Sequence, residues 1–166
     1  SHLDEAERKP VLIADNLEST INLVRTQYRN STRFVCEFAA NPSLLCWPAQ
    51  LNQVFMNIII NACQAIAGDK KRGEAPGTLT ISTQINDQWL VISFQDTGCG
   101  MDEATMTHIF EPFFTTKEVG EGTGLGLSIS YGIIQKHHGR LEVSSQLGLG
   151  TTFQVFLPLE AVAEDG

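Results

Sequence analysis

The twenty residues from Pro48 to Ala67 constrain this chain more than any other stretch of it. Leu51, Val54, Phe55, Ile58, Ile59, Ile60, Ala62, Ala65 and Ile66 make the segment too apolar to lie on a surface. Pro48 stands where a helix loses nothing by a missing amide, and Gly68 follows where helices commonly end, so a buried helix is predicted. Through it runs a polar line, Gln53, Asn57, Asn61 and Gln64. At about 100° per residue these four side chains fall within an arc of roughly 80°. An amide buried without a partner costs on the order of 1–3 kcal/mol, so the line requires a reason. Either backbone groups or water satisfy the amides, or the line is one wall of a polar cavity. A carboxamide oxygen in such a wall is a hard, neutral ligand of the kind that suits Mg²⁺, which keeps several waters and takes further oxygens from substrate phosphates.

The periodicity elsewhere predicts what this helix packs against. A helix is expected from Asp15 to Tyr28, with Leu17, Ile21 and Val24 on one side, and a strand from Arg33 to Ala39, broken at Asn41-Pro42-Ser43. Thr78 to Ile85 and Leu90 to Phe94 alternate as a hairpin about Asn86-Asp87-Gln88. A short helix from Met101 to Phe110 precedes an aperiodic loop from Glu111 to Gly122, and a further helix from Gly124 to His138 is stopped by Gly139. Leu141 and Val143, then Phe153, Val155 and Leu157, mark two closing strands around Gly148 and Gly150. One-sided strands interleaved with amphipathic helices predict an α/β (α+β) two-layer sandwich with helices on one face of the sheet. A length of 166 residues fits a single domain. That domain is expected from 15 to 160, after a tag remnant, linker or helix end at 1–14 and before a tail at 161–166.

Composition excludes several classes of partner. A net charge of −8 argues against a nucleic-acid surface, and Lys70-Lys71-Arg72 reads as solvated charge beside a helix C-terminus. No apolar run approaches the roughly 18 residues of a membrane span, so no direct membrane contact is expected. Cys36, Cys46, Cys63 and Cys99 form no C-x-x-C pair and read as free, mostly buried thiols of a cytoplasmic protein. His137 and His138 read as imidazoles favoured by a helix dipole.

Three further clusters carry chemistry. Asp96-Thr97-Gly98-Cys99-Gly100-Met101 ends a strand. It is either a plain turn or a site where a carboxylate accepts from the exocyclic amine of adenine while glycines let the backbone approach a flat ligand. Gly120-Glu121-Gly122-Thr123-Gly124-Leu125-Gly126-Leu127 opens into a helix, as a hinge or as a phosphate cradle at a helix N-terminus. It matches neither the G-x-x-x-x-G-K-[ST] loop nor the dinucleotide fingerprint. Phe110-Glu111-Pro112-Phe113-Phe114-Thr115-Thr116-Lys117 lies just ahead and brings a cation, Lys117, close in sequence to those glycines.

In order, the four segments resemble the N, G1, F and G2 boxes of the histidine kinase catalytic domain, and Gly148-Leu149-Gly150-Thr151-Thr152-Phe153 with Leu157-Pro158 resembles its closing segment. The wording of 110–117 is similar to that of the nitrogen-regulator-sensor type. The resemblance covers Asp15 to Leu159 and implies the Bergerat ATP-binding fold, a mixed and mostly antiparallel sheet backed by helices. It makes Asn61 the Mg²⁺ ligand, with Asn57 beside it facing the phosphates of ATP; any phosphate contact from Gln64, a turn later, is neutral. It makes Asp96 the adenine acceptor with Gly98 and Gly100 beneath the base, and places Thr151 near the base. Gly122, Thr123, Gly124, Leu125 and Gly126 become the phosphate side, and about 111–123 the lid, from which Lys117 reaches a phosphate. Where some kinases carry a basic residue and an aromatic after the metal-binding Asn, this chain has Gln64 and Ala65.

Gyrase, the large heat-shock chaperone and the mismatch-repair ATPases resemble the chain in two of the boxes. In them a Glu, four residues before the metal-binding Asn, acts as base on water. Here Asn57 stands there, and an amide takes no proton. The resemblance therefore implies transfer of the γ-phosphoryl of Mg-ATP to a histidine on a separate dimerisation and phosphoacceptor helical domain. A response regulator receiver would act downstream, from a homodimeric parent, with this piece itself monomeric. A Bergerat ATPase or serine-directed kinase, and a non-catalytic nucleotide-sensing module, are the alternatives.

Overall fold

The computed structural model describes residues 7–112, 114 and 126–160. Helix α1 (Ile13–Tyr28) leads into strand β2 (Thr32–Phe38), and helix α2 (Pro48–Ala67) into the hairpin β4 (Gly77–Asn86) and β5 (Trp89–Asp96). A short α3 (Glu103–His108) and α4 (Gly126–Lys136) precede the second hairpin, β6 (Arg140–Gln146) and β7 (Gly150–Pro158). The five strands run in the order β2-β4-β5-β7-β6. Only β2 and β4 pair in parallel, because α2 carries the chain across between them; the other pairs are antiparallel. This is the mixed, mostly antiparallel sheet that the sequence predicts.

The sheet's helix-facing side is its apolar side. Leu79 and Ile81 of β4, Leu90, Ile92 and Phe94 of β5, and Phe153, Val155 and Leu157 of β7 are buried there with Leu51, Val54, Phe55, Ile58 and Ile59 of α2. Leu17, Ile21 and Val24 of α1 and Ile134 of α4 complete the same core. Removing that apolar area from water is the main favourable contribution to folding, about 25 cal/mol per Å².

A second, two-stranded sheet departs from expectation. β1 (Lys9–Leu12) pairs antiparallel with β3 (Ser43–Cys46). The residues from Lys9 onward therefore belong to the folded unit, and α1 starts at Ile13, where Ile13 is fully buried. The end of α4 also differs: His138, not Gly139, takes the left-handed conformation there, with φ 62°. Gly139 is required for another reason, since a Cβ on it would lie 2.2 Å from the carbonyl oxygen of Phe156.

His137, read from the sequence as an imidazole favoured by a helix dipole, has a tertiary role. It is buried, with Nδ1 on the carbonyl oxygen of Ile133 at 2.9 Å and Nε2 accepting from the amide of Trp47 at 3.1 Å. That pairing requires the neutral tautomer with its proton on Nδ1, and desolvation holds the group below the ordinary histidine range. It ties the start of α2 to the end of α4. Of the four free cysteines, Cys46 and Cys63 are buried and pushed up to about 11 by burial, whereas Cys36 and Cys99 are exposed.

Candidate nucleotide site

Strand register decides where Asp96 points. Ile92 and Phe94 face the helices, so Asp96, two residues on, faces the same way one rung past the core. It pairs with Leu79 on one side and Thr151 on the other. The side chain is 4% exposed. Its Oδ1 accepts from the amide of Gly98 at 2.8 Å and from that of Thr151 at 3.3 Å. Both bonds fall on one oxygen, which leaves Oδ2 for another donor. Burial raises the carboxyl from 3.8 to about 6, against the two amide bonds and the Arg72 cation, which pull it down.

The glycines of this turn serve the protein's own packing. A Cβ on Gly98 would lie 2.8 Å from the carbonyl carbon of Ala65 in α2, and one on Gly100, at φ +72°, would lie 2.1 Å from the carbonyl oxygen of Gln146. They let the turn press against α2 and the β6–β7 turn.

Asn57, near the middle of α2, reaches the start of α4. Its Nδ2 donates to the carbonyl oxygen of Gly126 at 3.1 Å and to Oγ of Ser130 at 3.2 Å, and Ser130 Oγ itself donates to Gly126 at 2.8 Å. Helix α2 thus holds α4's first turn at Asn57 and the Asp96 turn at Ala65. The two contacts lie eight positions apart, about 12 Å of helix. Asn61 and Gln64 lie in that interval, both half-buried. Gln64 Oε1 is buried with no hydrogen-bond partner among the described residues, an orphaned acceptor where a cation or donor would satisfy it.

Of the residues singled out in the sequence, Asn57, Asn61, Gln64, Asp96, Gly98, Gly100, Gly126 and Thr151 come together around α2. Lys117, Gly122, Thr123, Gly124 and Leu125 lie outside the described residues. Three participants are not among the site residues read from the sequence. Ser145 Oγ accepts from the amide of Met101 at 2.8 Å and shares a 2.7 Å hydrogen bond with Thr151 Oγ1, fixing the turn to both closing strands. Its pairing partner in the β6–β7 register is Thr151, so that register is the signal that finds it. Ser130 sits one turn after Gly126 and is fully buried. Arg72, read as solvated charge, instead folds back so that its Nη2 donates to the carbonyl oxygen of Thr97.

A mixed sheet covered on one face by helices, with a buried carboxylate at a strand end and a helix start both packed near one amide-bearing helix, has the architecture of the Bergerat fold. The sequence pattern of the histidine kinase-, DNA gyrase B- and HSP90-like ATPases matches residues 48–161, and the chain belongs to that family. Among curated relatives it is 41% identical to sporulation kinase E of Bacillus subtilis over 125 residues, 75% of this chain and 16% of that protein. It is 35% identical to the sensor histidine kinase ZraS of Escherichia coli over 143 residues, 84% of this chain and 29% of that one. The chain therefore spans less than a third of the length of either relative. Among solved structures, the catalytic domain of histidine kinase ThkA superposes with a TM-score of 0.78 at 26% identity, covering 92% of this chain and 95% of that one. Full-length ShkA in complex with AMPPNP gives 0.78 at 25% identity, covering 95% of this chain and 32% of that one. Within the family, the chain groups with the ATP-binding catalytic domains of histidine kinases.

Proposed function

We propose that the chain is the catalytic module of a two-component sensor kinase, which transfers the γ-phosphoryl of Mg-ATP to a histidine carried by a separate helical domain. One observation carries this choice over hydrolysis. Both recorded bonds of Asn57 are donations, to Gly126 and Ser130, so the position where a hydrolase holds its base is occupied by an amide fastened to the protein. Water finds no base there.

In this reading Asp96 Oδ2 accepts from the adenine amine while Oδ1 stays on its two backbone amides. Thr151, whose amide and hydroxyl are both engaged, keeps that carboxylate in place. Asn61 supplies an oxygen to Mg²⁺, and the orphaned Gln64 Oε1 suits the same ion or one of its waters. Among the described residues no three or more His, Cys, Asp and Glu side chains cluster to hold a metal; the donors in this reading are carboxamide oxygen and the substrate's phosphates. The ion, when bound, neutralises charge on the triphosphate. Gly126, with Gly122, Thr123, Gly124 and Leu125 before it, offers backbone amides to the phosphates, and Lys117 adds a positive charge from the 111–123 lid.

The nucleophile comes from outside. His137 is buried with both ring nitrogens engaged, and His108 is exposed and paired with Glu111. The attacking imidazole belongs to the phosphoacceptor domain. A nitrogen–phosphorus bond forms there, the bond from the γ-phosphorus to the bridging oxygen breaks, ADP leaves, and a carboxylate beside the histidine takes the ring proton. A response regulator receiver then accepts the phosphoryl group. The test mixes this chain with a dimeric helical domain bearing the acceptor histidine and γ-labelled ATP. Acid-labile label on the helical domain is expected. Nucleotide binding without transfer would favour a sensing module, and steady turnover with water that is lost in Asn57→Ala would favour an ATPase.

A further inference from the structure

We propose that Arg72 is a positioning residue for the adenine end of the site: bridging the carboxylate of Asp69 and the carbonyl oxygen of Thr97, it clamps the loop after α2 onto the Asp96 turn and holds Asp96 ready as acceptor. The inference rests on the adenine reading of Asp96 given above.

The loop is built to deliver that guanidinium. Asp69 accepts the amide of Lys71 on Oδ1 at 3.2 Å, accepts the amide of Arg72 on its carbonyl oxygen at 3.2 Å, and pairs through Oδ2 with Arg72 Nη2 at 3.5 Å. Gly73, at φ +66°, turns the chain immediately afterwards. The far end of the loop converges on the same residue as the guanidinium does. A Cβ on Gly77 would meet Thr97 Oγ1 at 3.0 Å and Ile66 Cγ2 at 2.5 Å, and the amide of Thr78 donates to Thr97 Oγ1 at 2.9 Å. Thr97 is thus gripped from both ends of the loop, between the acceptor Asp96 and the close-packed Gly98.

Holding Arg72 there is costly. Its side chain is only 21% exposed, and its Nε is buried with no acceptor among the described residues. A solvated lysine-like role, as the neighbouring Lys70 and Lys71 can fill, incurs no such cost. The ionisable groups facing Asp96 are few. Cys63 of α2 is neutral because burial pushes its thiol up to about 11, and burial also raises Cys99 in the turn. Asp69 is held by Arg72 itself. The guanidinium is the positive charge felt at Asp96.

The test follows ATP binding between pH 5 and 8, by displacement of a fluorescent nucleotide, in the wild-type chain, Arg72→Gln, Arg72→Lys and Asp69→Asn. Arg72→Gln is expected to weaken binding roughly three- to tenfold, as loss of a charge-assisted bond does. It should also move the pH midpoint upward by roughly a few tenths of a unit, as removal of a nearby cation does. Arg72→Lys should lose part of the affinity and keep the midpoint, since it retains the charge on a shorter, non-planar group. Asp69→Asn releases the guanidinium from its anchor and should weaken binding and move the midpoint upward, in the same direction as Arg72→Gln, and it provides the reading if Arg72→Gln does not fold. Wild-type affinity and midpoint in Arg72→Gln, or weakened binding with an unmoved midpoint in both Arg72→Gln and Asp69→Asn, would overturn the proposal. Asp96→Asn separates the two layers. If it binds ATP like the wild type, the adenine reading falls as well; if it loses binding while the Arg72 variants behave as wild type, only the role of Arg72 falls.

Discussion

Lowering the pH should detach the nucleotide before it unfolds the domain. Asp96 sits at about 6 because desolvation outweighs the amide bonds from Gly98 and Thr151 and the Arg72 charge. The adenine amine donates, so it binds the ionised carboxylate and disfavours the protonated one. If only the ionised form binds, the apparent Kd grows as the inverse of its population, which gives about elevenfold weaker binding at pH 5 than on the neutral plateau. The assay is displacement of a fluorescent nucleotide across pH 5 to 7.5, in wild type and in Asp96→Asn. Titration of the nucleotide's own phosphates is common to both, so the ratio isolates Asp96.

The same shift has a consequence for stability. The folded domain holds a proton on Asp96 that the unfolded chain releases between 3.8 and about 6. The contribution is fully present below 3.8 and lost as pH rises through about 6. A difference of roughly two units corresponds to an upper limit of ~3 kcal/mol at neutral pH. Asp96→Asn keeps an acceptor for Gly98 and Thr151 but removes the buried charge. It should therefore raise the Tm of the nucleotide-free domain by about 2–4 °C for each kcal/mol recovered, while placing an amide donor against the adenine amine and weakening ATP binding by a factor that does not vary with the titration of residue 96. A wild-type to variant ratio that stays flat from pH 5 to 7.5, or a variant that is less stable yet binds normally, would refute this reasoning.

Other perturbations separate the remaining parts. Asn57→Ala removes two hydrogen bonds to α4's first turn and should cost about 1–3 kcal/mol in chemical denaturation, together with weaker ATP binding; unchanged stability would mean that the Asn57 contacts to Gly126 and Ser130 contribute nothing. Gly98→Ala places a methyl 2.8 Å from the Ala65 carbonyl carbon and should cost about 1–3 kcal/mol by overpacking, read as a lowered Tm. His137, held neutral, adds stability that is present above its unfolded value near 6.5 and lost as pH falls through its depressed folded value. In unfolding followed against pH, His137→Gln should flatten that acid-side loss, and an unchanged slope would exclude His137 as its source.

The periodic parts of this molecule were open to reading from the residues because each repeats its signal. The amide line of α2 from Asn57 to Gln64 and the alternation of β4, β5 and β7 survive in the structure, whereas Gln53, at the start of the line, is exposed. The β1–β3 sheet was not open to reading: its strands have four residues each, contain or follow a proline, and pair across α1 and β2 in the sequence. Neither strand is long enough to show a period. The glycines at 98 and 100 were legible as glycines that had to be glycines, but not as contacts to Ala65 and Gln146, which depend on where α2 and the β6–β7 turn come to rest. Arg72 and His137 fail to announce themselves for the same reason. A cation near a helix end and a histidine in a last turn have sufficient local explanations, and only the tertiary fold brings Thr97 and Trp47 to them.

The proposed placement sets the adenine at Asp96, beside the Ala65 end of α2, and the phosphates at the start of α4, beside Asn57. It is tested most directly by the crystal structure of this chain with Mg²⁺ and a non-hydrolysable ATP analogue. The adenine amine should lie within hydrogen-bond distance of Asp96 Oδ2, the metal on the Asn61 carboxamide oxygen, and the phosphates at the start of α4. An analogue bound elsewhere, or bound with its base toward Asn57 and its phosphates toward Asp96, would contradict the account.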